Sequence, residues 1–192
     1  PGVRTPPGGR RKNPRACVQC RREPRAGGEG VDRPGGGGRN RGIAMGQRRV
    51  RRAEVRDLPQ LGRMAAQFVG EAHPDAPVDA AYLDSSFRAM LAAGSHLVLV
   101  LDVDGAARGV FCAAAARSPW SPVSAAIELG MWIDPAHRGG MAVLRMLRAY
   151  VAWAEDMGCI RASMTALPGR SLDRLYSRCG FQPDEINYMR RI

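Results

Sequence analysis

The stretch "HLVLVLDVDGAARGVFCAAAA", residues 96–116, constrains the fold more than any other part of the chain. An apolar run from Leu97 to Val103 meets a turn at Asp104 and Gly105, and a second apolar run returns from about Arg108 to Ala116. Asp-Gly between two such runs favours a two-residue hairpin turn, because both positions tolerate positive φ. Strands this apolar belong at the centre of a sheet, with other elements packed on its faces.

The flanking segments supply those elements. Val50, Ala53 and Val55 sit among arginines as a short strand. Asp57 then caps a helix whose apolar residues Leu58, Leu61, Met64, Ala65 and Phe68 recur at steps of three and four. Two prolines in "EAHPDAPVD" end that helix. A second follows with Tyr82, Leu83, Phe87, Met90 and Leu91 on one side and Gly94 as its stop. Beyond the Pro- and Ser-rich "RSPWSPVS", "AAIELGMWID" reads as a third central strand. The helix behind it repeats Leu144, Leu147, Val151 and Ala154 and stops at Gly158. "CIRASMTA" is a strand, "SLDRLYSRC" a short helix capped by Ser171, "GF" a turn and "INYMRRI" a final strand. The order β-α-α-β-β-β-α-β-α-β predicts an α/β sandwich: one mixed sheet with helices on its faces.

Residues 1–44 differ in kind from residues 45–192. They hold eleven Arg or Lys against three acids, with eleven glycines and six prolines. So little large apolar surface cannot offset the entropy of ordering, which predicts a disordered extension before a folded domain spanning 45–192. Two readings of the extension stay open. An arginine-rich tail binds nucleic acid or anionic surfaces by neutralising phosphate; alternatively Met45 is the true start and the preceding residues reflect an arginine-biased genome. Lys12 is the only lysine of the chain, which favours the second reading.

Cys17 and Cys20 form a CxxC with no second ligand pair, so no metal site is expected. Cys112, Cys159 and Cys179 occur singly and read as reduced, packed thiols. No apolar run matches a membrane span or a signal peptide core, and the protein is expected to be soluble and cytoplasmic.

Residues 133–147, "IDPAHRGGMAVLRML", place a strand end, a cation and two glycines where a helix begins. Unpaired N–H groups, the helix dipole and close backbone approach coincide there, which suits a phosphate-bearing ligand. Gly139 and Gly140 serve equally to turn the chain. With "LYSRCGF", which begins 37 residues after Arg138, and the element order above, the junction resembles the GNAT superfamily of acyl-coenzyme A dependent N-acyltransferases across about residues 48–192. Arg138, Gly139 and Gly140 agree with the family's "RGG" opening; Met141 and Val143 depart from its motif. "ELGMWIDP" and "EINYMR" are further similar to a phage and bacterial subgroup.

The resemblance implies a central, mostly antiparallel mixed sheet flanked by helices on both faces, with acetyl-CoA as acyl donor. Backbone amides from Gly139 through Gly140, Met141 and Ala142 to Val143 would face the diphosphate, with Arg138 adding a charge-assisted contact. Met131, Trp132 and Ile133 would pair their backbone with the pantetheine arm beside splayed strands. Tyr176 is the candidate acid for the departing thiolate, and Glu128 the candidate base for the amine. Each has a plainer alternative: Tyr176 as a half-buried aromatic, Glu128 as an edge carboxylate paired with an arginine. Glu71 and His73 are a rival pair for the base, and His137 is expected to be solvent-exposed.

The acceptor is read only as a small-molecule or peptide amine, with Asp75, Asp79 and Asp84 favouring a cationic one. Relatives are often homodimers. A phosphate-binding P-loop is excluded, because no G-x-x-x-x-G-K followed by Ser or Thr occurs.

Overall fold

The computed structural model describes residues 47–139, 141–166, 172–188 and 190. The elements are β1 (Arg48–Arg52), a 3-10 turn (Val55–Asp57), α1 (Leu58–Ala72), α2 (Ala80–Ala92), β2 (His96–Val103), β3 (Ala106–Arg117) and β4 (Ser124–Ile133). A second 3-10 turn (Pro135–His137), α3 (Met141–Asp156), β5 (Cys159–Ser163) and α4 (Asp173–Ser177) complete them.

The described strands form one sheet in the order β1-β2-β3-β4-β5, antiparallel throughout except for the parallel pair β4–β5. The β2–β3 hairpin turns at Asp104 (φ 52°) and Gly105 (φ 85°), two consecutive left-handed positions that match the twist of the strands. Alternation along β2 divides the core. Leu97, Leu99 and Leu101 join Phe111, Ile133 and the α3 residues Met146, Leu147 and Tyr150 on one face. Val98 and Val100 join Val110, Trp132 and the α1 residues Leu58, Leu61 and Met64 on the other. Helices therefore cover both faces, which is why β2 reads as an unbroken apolar run.

Gly109 of β3 is closely packed between β2 and β4. A Cβ there would lie 3.0 Å from Ile133 Cγ1 and 3.3 Å from the Trp132 carbonyl oxygen. Gly109→Ala is expected to destabilise the fold by about 1–3 kcal/mol, seen as a lower urea midpoint, since the strand backbone has nowhere to move.

Several expectations need correction. Asp57 occupies the cap position of α1, but its side chain makes no cap hydrogen bond to that helix; it accepts instead from Arg51 and from the Glu54 amide. Tyr82 is not on the packed side of α2 but 68% exposed, leaving Phe87 as the buried residue of that helix. No strand occurs at residues 185–188 or at 190: Ile186 and Tyr188 alternate as a strand would, yet both are exposed and without a neighbouring strand among the described residues. Leu172 is the residue that precedes α4; Ser171, Gly140, and Cys17 with Cys20, lie outside the described residues. Cys112, Cys159 and Cys179 are free thiols, and burial pushes that of Cys112 up to about 12. No helix among the described residues is long and apolar enough to cross a membrane.

Candidate active site

The site begins with an irregularity in β4. Cys112 of β3 faces Gly130 and Ala113 faces Glu128, so Leu129 is left over as a bulge and β4 bends away. β5 runs beside β4 only from Ser124 to Ile127. From Glu128 to Ile133, β4 stays paired with β3 but has no strand on its β5 side among the described residues, and on that side its backbone faces a gap in the sheet. Met131, Trp132 and Ile133 lie along that stretch, with the side chains of Trp132 and Ile133 buried on opposite faces. By the alternation of an antiparallel pair, Met131 and Ile133 turn their peptide groups toward the gap while those of Trp132 face Val110 of β3; with the Ile133 carbonyl held by Arg138, the Met131 peptide and the Ile133 N–H are what an extended ligand can meet.

Glu128 and Tyr176 meet at the mouth of the gap through one residue. The Thr165 N–H, just past β5, donates to Glu128 Oε2 at 2.8 Å, and the Tyr176 hydroxyl donates to the Thr165 carbonyl at 2.8 Å. Glu128 is therefore not an arginine-paired edge carboxylate. Burial holds its carboxyl above the usual range, partly offset by the Thr165 amide. Burial, with the nearby Glu128 charge, pushes the Tyr176 hydroxyl up to about 12. The tyrosine ring is set by Phe181 of the "GF" turn, 6.1 Å away, and Phe181 in turn stacks on buried Tyr150 of α3 at 6.5 Å. Thr165 had no signal in the sequence; a residue used through its peptide group shows none in its side chain.

At the other end of β4 the chain turns into α3. Gly139 has φ 90°, with open space where a Cβ would stand. Met141, Ala142 and Val143 form the first turn of α3, whose N–H groups have no partner within the helix. Val143 and Ala142 point their side chains into the core, and Met141 is half exposed. Of the two departures from the family motif, Val143 thus faces the core and Met141 stands partly in solvent.

Arg138 reaches back along the strand. Its Nε donates to the Ile133 carbonyl at 2.8 Å and its Nη2 to Glu71 Oε1 at 2.6 Å. Glu71 also accepts from Trp132 Nε1 at 2.9 Å, which places it with the loop rather than with Glu128. His73 edges against Phe68, whose ring lies 3.2 Å from where a Gly130 Cβ would be, so the end of α1 borders the bend in β4. His137 is not solvent-exposed as expected: it is half-buried, and its Nδ1 is buried without a hydrogen-bond partner. Asp79 caps α2 by accepting from Ala81 and Tyr82 N–H, and Asp84 pairs with Arg88 at 2.7 Å.

A sheet opened between β4 and β5, followed by a glycine turn into a helix, is a familiar pairing of features, and the sequence profile of the acetyltransferase (GNAT) family matches residues 58–181. The chain belongs to that family. This GNAT domain is similar in fold to glucosamine-6-phosphate N-acetyltransferase from Arabidopsis thaliana, at 15% identity and a TM-score of 0.63 over 76% of this chain and 98% of the other. A predicted acetyltransferase from Clostridium acetobutylicum, solved with acetyl-CoA, is similar at 16% identity and TM-score 0.64, over 76% and 96% of the two chains. The aminoglycoside N-acetyltransferase AAC(6')-Iy, solved with CoA, is similar at 18% identity and TM-score 0.59, over 77% and 95%. No curated protein matches the chain by sequence. The GNAT assignment makes acetyl-CoA the cosubstrate, and the residues present fit it: a strand edge with no neighbour on its β5 side among the described residues, a glycine with open space where a Cβ would stand, and the first-turn amides of α3 follow one another along the chain.

Proposed function

We propose that this GNAT domain, residues 45–192, transfers an acetyl group from acetyl-CoA to a primary amine by direct attack, with residues 1–44 as an extension to it. The observation that carries the reading is the meeting of Glu128 and Tyr176 at Thr165 beside the open edge of β4. When bound, acetyl-CoA supplies an activated thioester carbonyl. The amides of Gly139 and of Met141 to Val143 hold the diphosphate with the aid of the α3 dipole. The Met131 peptide and the Ile133 N–H hold the pantetheine arm and donate to negative charge that builds on the carbonyl oxygen, with Trp132 between them paired to β3.

Glu128 takes the proton from the amine, directly or through water; its raised pKa brings it closer to the working range of a base. Tyr176 keeps its proton through the neutral range and holds it for the sulfur as the thiolate departs. On the acceptor side, the α1–α2 loop frames a mainly apolar groove of about 370 Å³ that includes Val69, His73, Val78 and Tyr82. With Asp79 and Asp84 already engaged, that groove favours an amine carried on an apolar body over a polycation.

Calorimetric titration of the full chain with CoA is expected to register binding, and a panel of amines with acetyl-CoA is expected to include one that releases free thiol. No heat at millimolar CoA would overturn the assignment. Binding without turnover on any amine would reduce the protein to a CoA-binding module.

A further inference from the structure

The Glu71 carboxylate is used in a way that the transfer reaction does not require. It projects from the last turn of α1, yet its Oε1 accepts from two groups of the β4–α3 junction: Trp132 Nε1 at 2.9 Å and Arg138 Nη2 at 2.6 Å. Arg138 is fixed at a second point by its Nε bond to the Ile133 carbonyl at 2.8 Å, and its guanidinium lies over the Trp132 ring, 5.8 Å from the centroid. The end of the strand and the residue before the Gly139 turn are thus tied together by a single oxygen from another element.

We propose that Glu71 is a positioning residue for the cosubstrate loop, acting through Arg138 to preset the turn at Gly139 that leads to the amides of Met141 to Val143. The inference rests on the reading that CoA binds at that turn. Glycine carries the largest backbone freedom of any residue, and a chain entering Gly139 at φ 90° loses that freedom whenever the diphosphate is held. Restraining the preceding residue beforehand lowers the ordering cost of binding. Glu71 and Arg138 side chains are 31% and 39% exposed, so their attraction through solvent is weak. What the contact contributes is direction: two hydrogen bonds set the planar guanidinium against the strand, and the shared Glu71 oxygen sets it against the indole. The bracket also ties the end of α1, which leads into the acceptor-side loop, to the turn that takes the cosubstrate.

The test is CoA titration of the full chain by calorimetry, on wild type and on Glu71→Ala, Glu71→Gln, Arg138→Ala, Arg138→Lys and the Glu71→Ala/Arg138→Ala double variant. Glu71→Ala is expected to raise the CoA Kd about tenfold. Glu71→Gln keeps an acceptor for both donors and should recover most of the loss. In the Arg138→Ala background, Glu71→Ala should add nothing, because its effect runs through that side chain. Wild-type affinity in Glu71→Ala, an equal further loss on top of Arg138→Ala, or tighter binding would each overturn the proposal. Should Glu71→Ala fail to fold, Arg138→Lys answers in its place: it keeps the charge but cannot hold Ile133 and Glu71 at once, and must show the same rise. A wild type that binds no CoA overturns the CoA reading itself; a wild type that binds while every variant matches it overturns this inference alone.

Discussion

Tyr176→Phe is expected to lower amine-dependent thiol release by about a hundredfold or more while leaving the CoA Kd within a factor of two, as removal of a positioned proton donor should. The ring loses one hydroxyl, and its contact with Phe181 does not depend on that group. The Thr165 carbonyl loses its donor but sits at the surface, where water replaces it, so the melting temperature should change little. Glu128→Gln separates the base from the acid. In wild type the rate rises with pH as Glu128 ionises, and because burial raises its pKa, that rise falls above the ordinary carboxylate range. Glu128→Gln should remove this limb of the profile and lower the plateau, and it should also bring the Tyr176 pKa down, since the Glu128 charge is one cause of its rise. The check is kcat against pH for both variants with one active amine. An unchanged kcat in Tyr176→Phe would make the tyrosine a strut between α4 and Thr165 and nothing more.

How far these roles were legible follows from what each kind of signal can report. The apolar runs on either side of Asp104-Gly105 specify both the hairpin and its place in the sheet, because burial and turn geometry are written in side chains. The resemblance singles out Tyr176 and Glu128 as candidates, and it does not show their junction, because Thr165 joins them through its peptide group. The bulge at Leu129 is equally silent: it is a property of pairing between two backbones. Asp57 shows how a local rule misleads. It stands where a helix cap belongs, but Arg51 lies six positions before it and Asp102 lies 51 positions after Arg51, and no local pattern announces that the three converge. Ile186 and Tyr188 mislead in the opposite direction, since alternation describes one face of a strand and says nothing of whether a neighbour exists.

That convergence at Arg51 gives the largest expected effect on stability. Arg51 Nε donates to Asp102 at 2.8 Å, and its two terminal nitrogens donate to Asp57 at 2.7 and 2.9 Å. The two aspartates are only 2% and 6% exposed, and backbone N–H groups of Gly105 and Glu54 complete their shells. The arginine thereby ties β1 to the end of β2 and to the start of α1. Arg51→Met should cost about 3–5 kcal/mol, because it leaves buried carboxylates without their cation; Arg49, half exposed and 3.4 Å from Asp102, compensates only in part. The pH dependence carries a distinct signature. Hydrogen bonding to Arg51 is the first cause that holds both aspartates below the ordinary carboxylate range, so their contribution is fully present above about pH 4 and is lost as pH falls through the lowered values. The part of the wild-type melting temperature that this pair supplies should therefore stay level from pH 7 to about 4 and fall below that. In Arg51→Met burial is opposed only by the Glu54 and Gly105 amides and the Arg49 and Arg56 charges; with the largest opposing cause gone the carboxyls shift upward, and once above their unfolded values they make the folded state bind more protons than the unfolded chain, so the variant should gain stability between pH 7 and 5. Adding Asp57→Asn and Asp102→Asn should remove most of that gain. A variant that melts like wild type, or that loses stability over the same interval, would show that Arg51 does not neutralise a buried pair.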